Sequence, residues 1–130
     1  MTGPPFTIAE APFERVQPFG SRAAREHVSI SDTRDTRWFV GLRQPAGEVV
    51  GVAGLLRFRS QLRIKGVWVD PAFRGRGLGN AFVQRFLAIA DEECAPMIEA
   101  FVANTAYYQS LGFSQVGILP TGAVKMRKVL

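Results

Sequence analysis

"FRGRGLG", residues 73–79, sets Gly75, Gly77 and Gly79 at alternate positions with Arg74 and Arg76 interleaved. The apolar run Val67-Trp68-Val69 and a turn at Asp70-Pro71 precede it, and an apolar helical pattern follows at once. A strand that delivers a glycine-rich loop into a helix N-terminus is physically an anion site. First-turn amides lack intrahelical acceptors, the helix dipole is positive there, and glycines let phosphate oxygens reach the backbone. Successive free amides also form anion-binding nests. Two familiar phosphate loops are excluded by spacing. A P-loop needs a Lys-Ser or Lys-Thr pair, and the chain has none. A dinucleotide fingerprint needs Gly-x-Gly-x-x-Gly, which glycines two apart do not supply, and no ribose-binding βαβ unit surrounds them.

Upstream of the loop, Trp38, Val40 and Leu42 alternate with Phe39, Gly41 and Arg43, a strand pattern. Gln44 to Glu48 is a turn by its Pro and Gly; Val49 to Phe58 and Gln61 to Val69 make two further strands. In the last of these the apolar face changes sides near Gly66-Val67, which predicts a β-bulge there. Downstream, Leu78, Phe82, Phe86 and Ile89 share a face of a helix over 78–93, which frays at Asp91-Glu92-Glu93. Met97 to Val102 is a strand, and Asn104 caps a short helix closed by Gly112. Phe113–Leu119 and Ala123–Leu130 form a closing hairpin. Residues 1–36 predict only an irregular arm, with a short strand at Phe6–Ile8 and a helix over Ser21–Ile30 capped by Ser21. The core is therefore 37–130, in a single mixed α/β domain.

With 130 residues, 47% of them apolar, the chain fits one domain with one core. No apolar run approaches the roughly 18–20 residues of a membrane span, and the first residues lack the pattern of a secretory signal. Cys94 is the single cysteine, so no disulfide framework exists and a cytoplasmic location fits best. It lies beside three acids, which raise a thiol pKa, so it reads as structural. One Cys and one His, His27, cannot build a zinc site. The formal charge of +5 favours anionic partners.

Arg74-Gly75-Arg76-Gly77-Leu78-Gly79 resembles the acyl-CoA signature of the GCN5-related N-acetyltransferases, Arg/Gln-x-x-Gly-x-Gly/Ala, and Val67-Trp68-Val69-Asp70-Pro71 looks like that family's strand entering the loop. Tyr107-Tyr108-Gln109-Ser110-Leu111-Gly112-Phe113 is similar to its aromatic-Tyr-x-x-Leu-Gly-Phe motif, one strand later. The resemblance covers residues 37–130. It implies a mixed, mainly antiparallel sheet flanked by helices, with a shortened N-terminal part, and acetyl transfer from acetyl-CoA to an amine without a metal. It places the CoA pyrophosphate on the amides of Arg76, Gly77, Leu78, Gly79 and Asn80, and pairs the pantetheine arm with the strand Val67-Trp68-Val69. The Val69 amide would polarise the thioester carbonyl, where charge develops in the transition state. Tyr108 would be the general acid for the departing thiolate, Tyr107 being the better core residue. Asn104 would contact the cofactor besides capping its helix. No acid lies in 61–69, so Glu99 and His27 are the candidate bases.

Arg57, Arg59, Arg63 and Lys65 cluster on the hairpin between the second and third strands, and such a ribbon could meet nucleic acid or an acidic protein. The stretch from His27 through Trp38-Phe39-Val40-Gly41-Leu42 faintly resembles the N-terminal region of phage Mom-type DNA-modification proteins, which makes modification of a nucleobase one alternative function. A non-catalytic acyl-CoA binder is another. A homodimer is compatible with all three.

Overall fold

The computed structural model describes residues 6–130; the start of the N-terminal arm, 1–5, lies outside the described residues. Seven strands form one sheet: β1 (Phe6–Ala11), β2 (Thr36–Arg43), β3 (Glu48–Phe58), β4 (Gln61–Val69), β5 (Met97–Val102), β6 (Ser114–Ile118) and β7 (Val124–Val129), in the order β1-β2-β3-β4-β5-β7-β6. Strands β1 to β4 pair antiparallel in sequence order; tight turns join β2 to β3 and β3 to β4, whereas residues 12–35 connect β1 to β2. The chain then crosses over through α3 (Leu78–Glu92) and returns as β5, parallel to β4, because a parallel neighbour requires such a crossover.

The apolar stripe of α3 is the one its spacing predicts. Leu78, Phe82, Val83, Phe86, Ile89 and Ala90 are buried against Phe39, Leu55, Leu62, Ile64, Ile98 and Met126 of the sheet. Phe86 meets Phe39 edge to face at 5.2 Å, and its truncation to Ala would cost about 3–5 kcal/mol. The acids at the α3 terminus do not fray it. Glu93 pairs with Arg37 at 3.1 Å and with Arg57, which offsets its position at the negative end of the dipole. Cys94, exposed at φ 53, closes the helix: its amide returns to Asp91 (3.1 Å) and that of Ala95 to Ala90 (3.0 Å).

The N-terminal segment is more regular than its sequence suggests. Strand β1 extends past Ile8 to Ala11 and pairs with β2 along its whole length, from Phe6↔Arg43 to Ala11↔Trp38. Helical structure occupies 13–24 rather than 21–30: α1 (Phe13–Val16), a 3-10 turn at Gln17–Phe19, and α2 (Gly20–Ala24). Pro12 sits before the first turn, where a missing N–H is tolerated. Ser21 lies inside the run, so it is not a cap, and its carbonyl accepts from the Arg25 amide at 3.3 Å. The run stops because the amides of His27 and Val28 fold back to Ala24 (3.0 Å) and Ala23 (2.9 Å), with His27 left-handed at φ 63. This layer covers a second apolar cluster, Val16, Ala23, Trp38, Val40, Val52 and Trp68, on the sheet face opposite α3.

The expected bulge is present in β4. Lys65 pairs with Gly54 and Trp68 with Val52, so Gly66 and Val67 stand opposite the single residue Ala53. Gly66 has φ 62, and a Cβ there would meet the Trp38 ring at 2.9 Å. The extra residue reverses side-chain parity: Leu62 and Ile64 join the α3-side core, Trp68 the opposite one.

Candidate active site

Hydrogen-bonded pairing between β4 and β5 runs only from Leu62↔Ile98 to Ile64↔Ala100, although β4 continues to Val69 and β5 to Val102. The bulge redirects β4 where this pairing stops, and the two strands part. The Asp70 amide donates inward to Val50 O at 2.9 Å, so by alternation the N–H and C=O of Val69 face the opened edge. The C=O of Val69 accepts from Arg74 Nε at 2.9 Å, which ties the glycine loop to the strand.

A cleft of about 560 Å³ occupies one side of the opening, lined by Val67, Val69, Arg74, Gly75, Gly77, Leu78, Gly79, Asn80, Asn104 and Tyr108, together with Phe73, Val83 and Tyr107. Gly77 has φ 91 and caps α3 without a side-chain hydrogen bond. The amide of Ala81 is bonded to Gly77 O at 2.9 Å, so those of Leu78, Gly79 and Asn80 before it lack a helical acceptor, which is the arrangement that suits an anion at a helix start. Two expected residues stand apart from this cleft. Trp68 is buried in the second core with its indole N–H donating to Glu26 at 2.7 Å, and Arg76 places its guanidinium over Phe73 at 5.6 Å.

The Arg74 side chain acts as a strut. Besides Val69 it reaches Glu26, with Nη2 2.6 Å from Oε1, and Glu26 therefore joins the loop to Trp68 and to the end of the N-terminal helices. The hydrogen bonds from Arg74 and Trp68 hold the Glu26 carboxyl below its ordinary pKa. Sequence patterning gave no signal for Glu26, because its partners lie 42 and 48 residues away.

The short helix α4 (Thr105–Ser110) supplies the tyrosines. Asn104 precedes it in extended conformation but makes no capping bond with its side chain. Gly112 at φ 93 closes it: its amide donates to Gln109 O and that of Phe113 to Tyr108 O, both at 3.0 Å. The same turn brings the Phe113 ring edge-on to Tyr108 at 5.2 Å, so the Leu-Gly-Phe sequence orients Tyr108. Tyr107 donates to Asn80 Oδ1 of α3 at 2.5 Å. The Tyr108 hydroxyl makes no hydrogen bond among the described residues, and burial, aided by neighbouring Tyr107, pushes its pKa up to about 12.

A second cleft of about 510 Å³ opens on the other side, lined by His27, Val28, Ser29, Arg63, Lys65, Gly66 and Phe101 among others. Val67, Asn104 and Tyr108 line both clefts and mark their junction. His27 is exposed at the rim. Glu99 lines neither cleft and is 2% exposed, with Arg63 (3.0 Å), Arg127 (2.6 Å) and Lys125 (3.5 Å) on its oxygens. Burial would raise its pKa, but the hydrogen bonds from Arg127 and Arg63 and the charge of Lys125 outweigh that and leave it lowered. This geometry gives no support to Glu99 as a base; it makes it a holder of cations.

The basic hairpin does not form one patch. Arg57 pairs across the ladder with Leu62, on the α3 side, and meets Glu93 at the end of α3. Arg63 and Lys65 alternate to the opposite face, and Arg59 sits in the turn at φ 58 over the Phe58 ring.

The model described as Acetyltransferase (GNAT) family matches residues 6–113, and the chain belongs to that family. Over 101 residues it is 31% identical to the glucosamine 6-phosphate N-acetyltransferase of Trypanosoma brucei brucei, spanning 66% of this chain and 69% of that one. It is 33% identical over 78 residues to an amino-acid acetyltransferase of Mycobacterium tuberculosis, spanning 59% of this chain and 45% of the relative. An uncharacterized Mycobacterium leprae protein matches over only 24% of its length, so the chain spans less than half of some relatives. Among solved structures, a Mycobacterium tuberculosis protein in complex with CoA and NLQ superposes with a TM-score of 0.79 at 19% identity, over 95% of this chain and 99% of that one. A GNAT family acetyltransferase from Elizabethkingia anophelis with acetyl-CoA bound gives 0.69 at 14% identity, over 98% and 100%. The expected fold, a mainly antiparallel mixed sheet flanked by helices, is the observed one. No described helix is long and apolar enough to cross a membrane.

Proposed function

We propose that the protein is an acyl-CoA-dependent N-acyltransferase that passes an acetyl group directly from acetyl-CoA to an amine. The observation that carries this reading is the meeting of two clefts at Val67, Asn104 and Tyr108, one walled by unsatisfied amides and the other open for an acceptor. The amides of Leu78, Gly79 and Asn80 would hold the pyrophosphate, and the unpaired edge of β4 would take the pantetheine arm as an added strand. Val67 lines both clefts and Val69 only the donor cleft, which favours the Val67 amide over that of Val69 as the group nearest the thioester carbonyl. Holding both reactants in attacking geometry would supply much of the rate.

In the transfer, the nitrogen–carbon bond forms, the carbon–sulfur bond breaks, the nitrogen gives up a proton and the sulfur departs as thiolate. Tyr108, with its pKa pushed up to about 12, stays protonated at neutral pH, and its place at the junction of the two clefts supports a position beside the departing sulfur. Full proton transfer to a thiolate of pKa about 8.5 is uphill by roughly three units or more, so Tyr108 acts mainly as a hydrogen-bond donor to the developing charge. Of the two base candidates, His27 lines the acceptor cleft, which supports it as the proton acceptor.

Release of CoA thiol in the presence of primary amines tests the reading, and Tyr108→Phe tests the role. Loss of a hydrogen bond to a charged group lowers kcat about 10- to 100-fold, with CoA affinity kept. A wild-type protein that binds CoA and acetylates no amine would sink the catalytic reading in favour of a non-catalytic acyl-CoA binder. The nucleobase alternative has no specific support, because the basic hairpin is divided between two sheet faces.

A further inference from the structure

The bulge in β4 leaves one sheet surface without an apolar cover. Opposite α3, the N-terminal helices shield the cluster around Trp38, Val40, Val52 and Trp68. Beyond them, the outward residues of β4, β5 and β7 on that face are Arg63, Lys65, Glu99, Phe101, Lys125 and Arg127, since their neighbours Ile64, Ile98, Ala100 and Met126 belong to the α3-side core. Four basic side chains therefore stand on this face around one buried carboxylate, which pairs with three of them. Glu99 is saturated by Arg63, Lys125 and Arg127, and Lys65 makes no ion pair among the described residues.

Lys65 is half-buried, with its ammonium 5.8 Å from the Trp38 ring, and it lines the acceptor-side cleft next to Arg63. Burial, and the neighbouring charge of Arg63, lower its pKa, a sign that the cation lacks a counter-ion where it sits. Arg63 is fixed from three sides: Glu99 Oε1 takes Nη2 at 3.0 Å and Nε at 3.4 Å, and the rings of Phe101 (4.6 Å) and Phe58 (5.2 Å) flank the guanidinium. The remaining Nη1 has no hydrogen-bond partner among the described residues. Among the described residues no Asp or Glu lines this cleft. A half-buried cation without a partner, beside a held guanidinium, forms a site for an anion.

We propose that Lys65, with Arg63 behind it, is the subsite for an anionic group on the acceptor, so that the substrate is a small amine bearing a distal carboxylate or phosphate. This rests on the acyl-transfer reading for the position of the nitrogen. With that nitrogen near the Val67 backbone, Lys65 lies two residues back along the strand, at most roughly 7 Å because the bulge bends the strand between them, which separates amine from anion by several bonds. The same lining disfavours polyamines and lysine-rich peptides, whose charge it repels.

The test compares matched pairs, with and without the anion. Turnover is measured for 4-aminobutyrate against its amide and for O-phosphoethanolamine against ethanolamine, which separates carboxylate from phosphate. Affinity is measured for the product 4-acetamidobutyrate against its neutral amide, on CoA-saturated protein, by the shift of the Trp38 indole resonance. The expected result is a preference of about tenfold or more for the anionic member in both measurements. In Lys65→Met that ratio falls toward one, while CoA binding shows that the variant is folded; Arg63→Met is the poorer choice, because it also removes one of the three cations paired with Glu99. Equal affinity for the two products in the wild type, or a ratio that survives Lys65→Met, overturns the proposal. If the products are discriminated but no amine yields free thiol, the anion subsite stands and the transfer reading fails.

Discussion

Gly77→Ala isolates what the backbone of the glycine loop contributes. Gly77 has φ 91 and ψ 4, and a Cβ built there meets nothing within 4 Å. The substitution therefore carries no clash, only the cost of placing an L-residue in the left-handed region, about 1–2 kcal/mol. Where that cost appears depends on whether the loop keeps its shape without ligand. An exposed loop with open space around it relaxes readily, so the free protein escapes the strain and CoA binding must restore it. CoA affinity then falls about 5- to 30-fold, with the Tm of the free protein nearly unchanged. If the loop stays rigid, the same energy lowers the Tm by about 3–8 °C and affinity is unaffected. In either case the CoA-saturated protein loses about 1–2 kcal/mol against wild type, which calorimetric titration and thermal unfolding together recover. Gly79→Ala is the contrast: within α3 at an ordinary φ, also with nothing near its Cβ, it stabilises the free protein by up to about 1 kcal/mol. If Gly77→Ala left both affinity and stability at wild-type values, the left-handed cap would not be required and the cradle would be misassigned.

Gly112→Ala, at φ 93, strains the turn that orients Tyr108, and it lowers stability by about 1–2 kcal/mol in chemical denaturation together with a fall in kcat. An unchanged kcat would separate Tyr108 from the Leu-Gly-Phe turn. Glu99→Gln leaves Arg63, Arg127 and Lys125 without their shared anion and costs about 2–4 kcal/mol at pH 7, discounted because the cations are partly exposed. The Glu99 pKa is lowered on folding, so its contribution is complete above the unfolded value of about 4.3 and is lost as pH falls through the folded one. The stability gap between wild type and Glu99→Gln should accordingly close below about pH 4; a gap independent of pH would contradict the assignment.

Local patterning disclosed most of what shapes the loop-side cleft. The side-switch at Gly66-Val67 announced the bulge because strand parity has period two, and the bulge is what parts β4 from β5. The α3 stripe and the Gly112 closure were likewise legible, since each depends on neighbours a few residues away. The N-terminal layer was not. Its strand β1 is an edge strand that owes its six residues to pairing with β2, and its helix ends through backbone bonds at His27, a residue with no helix-stop signature. Glu99 illustrates the same limit. A lone carboxylate on a strand looks available, and only the arrival of Arg127 from β7 shows it to be occupied. Lys65 and Arg57 seemed to share a patch until the ladder placed them on opposite faces.

The most direct measurement is a crystal structure with a non-reactive acetyl-CoA analogue in which a methylene replaces the thioester sulfur. The account predicts pyrophosphate oxygens on the amides of Leu78, Gly79 and Asn80, the carbonyl oxygen on a β4 amide at Val67 or Val69, and the Tyr108 hydroxyl within about 3.5 Å of the methylene. An analogue whose acetyl group lies away from the junction of Val67 and Tyr108, or whose pyrophosphate misses the start of α3, would contradict it.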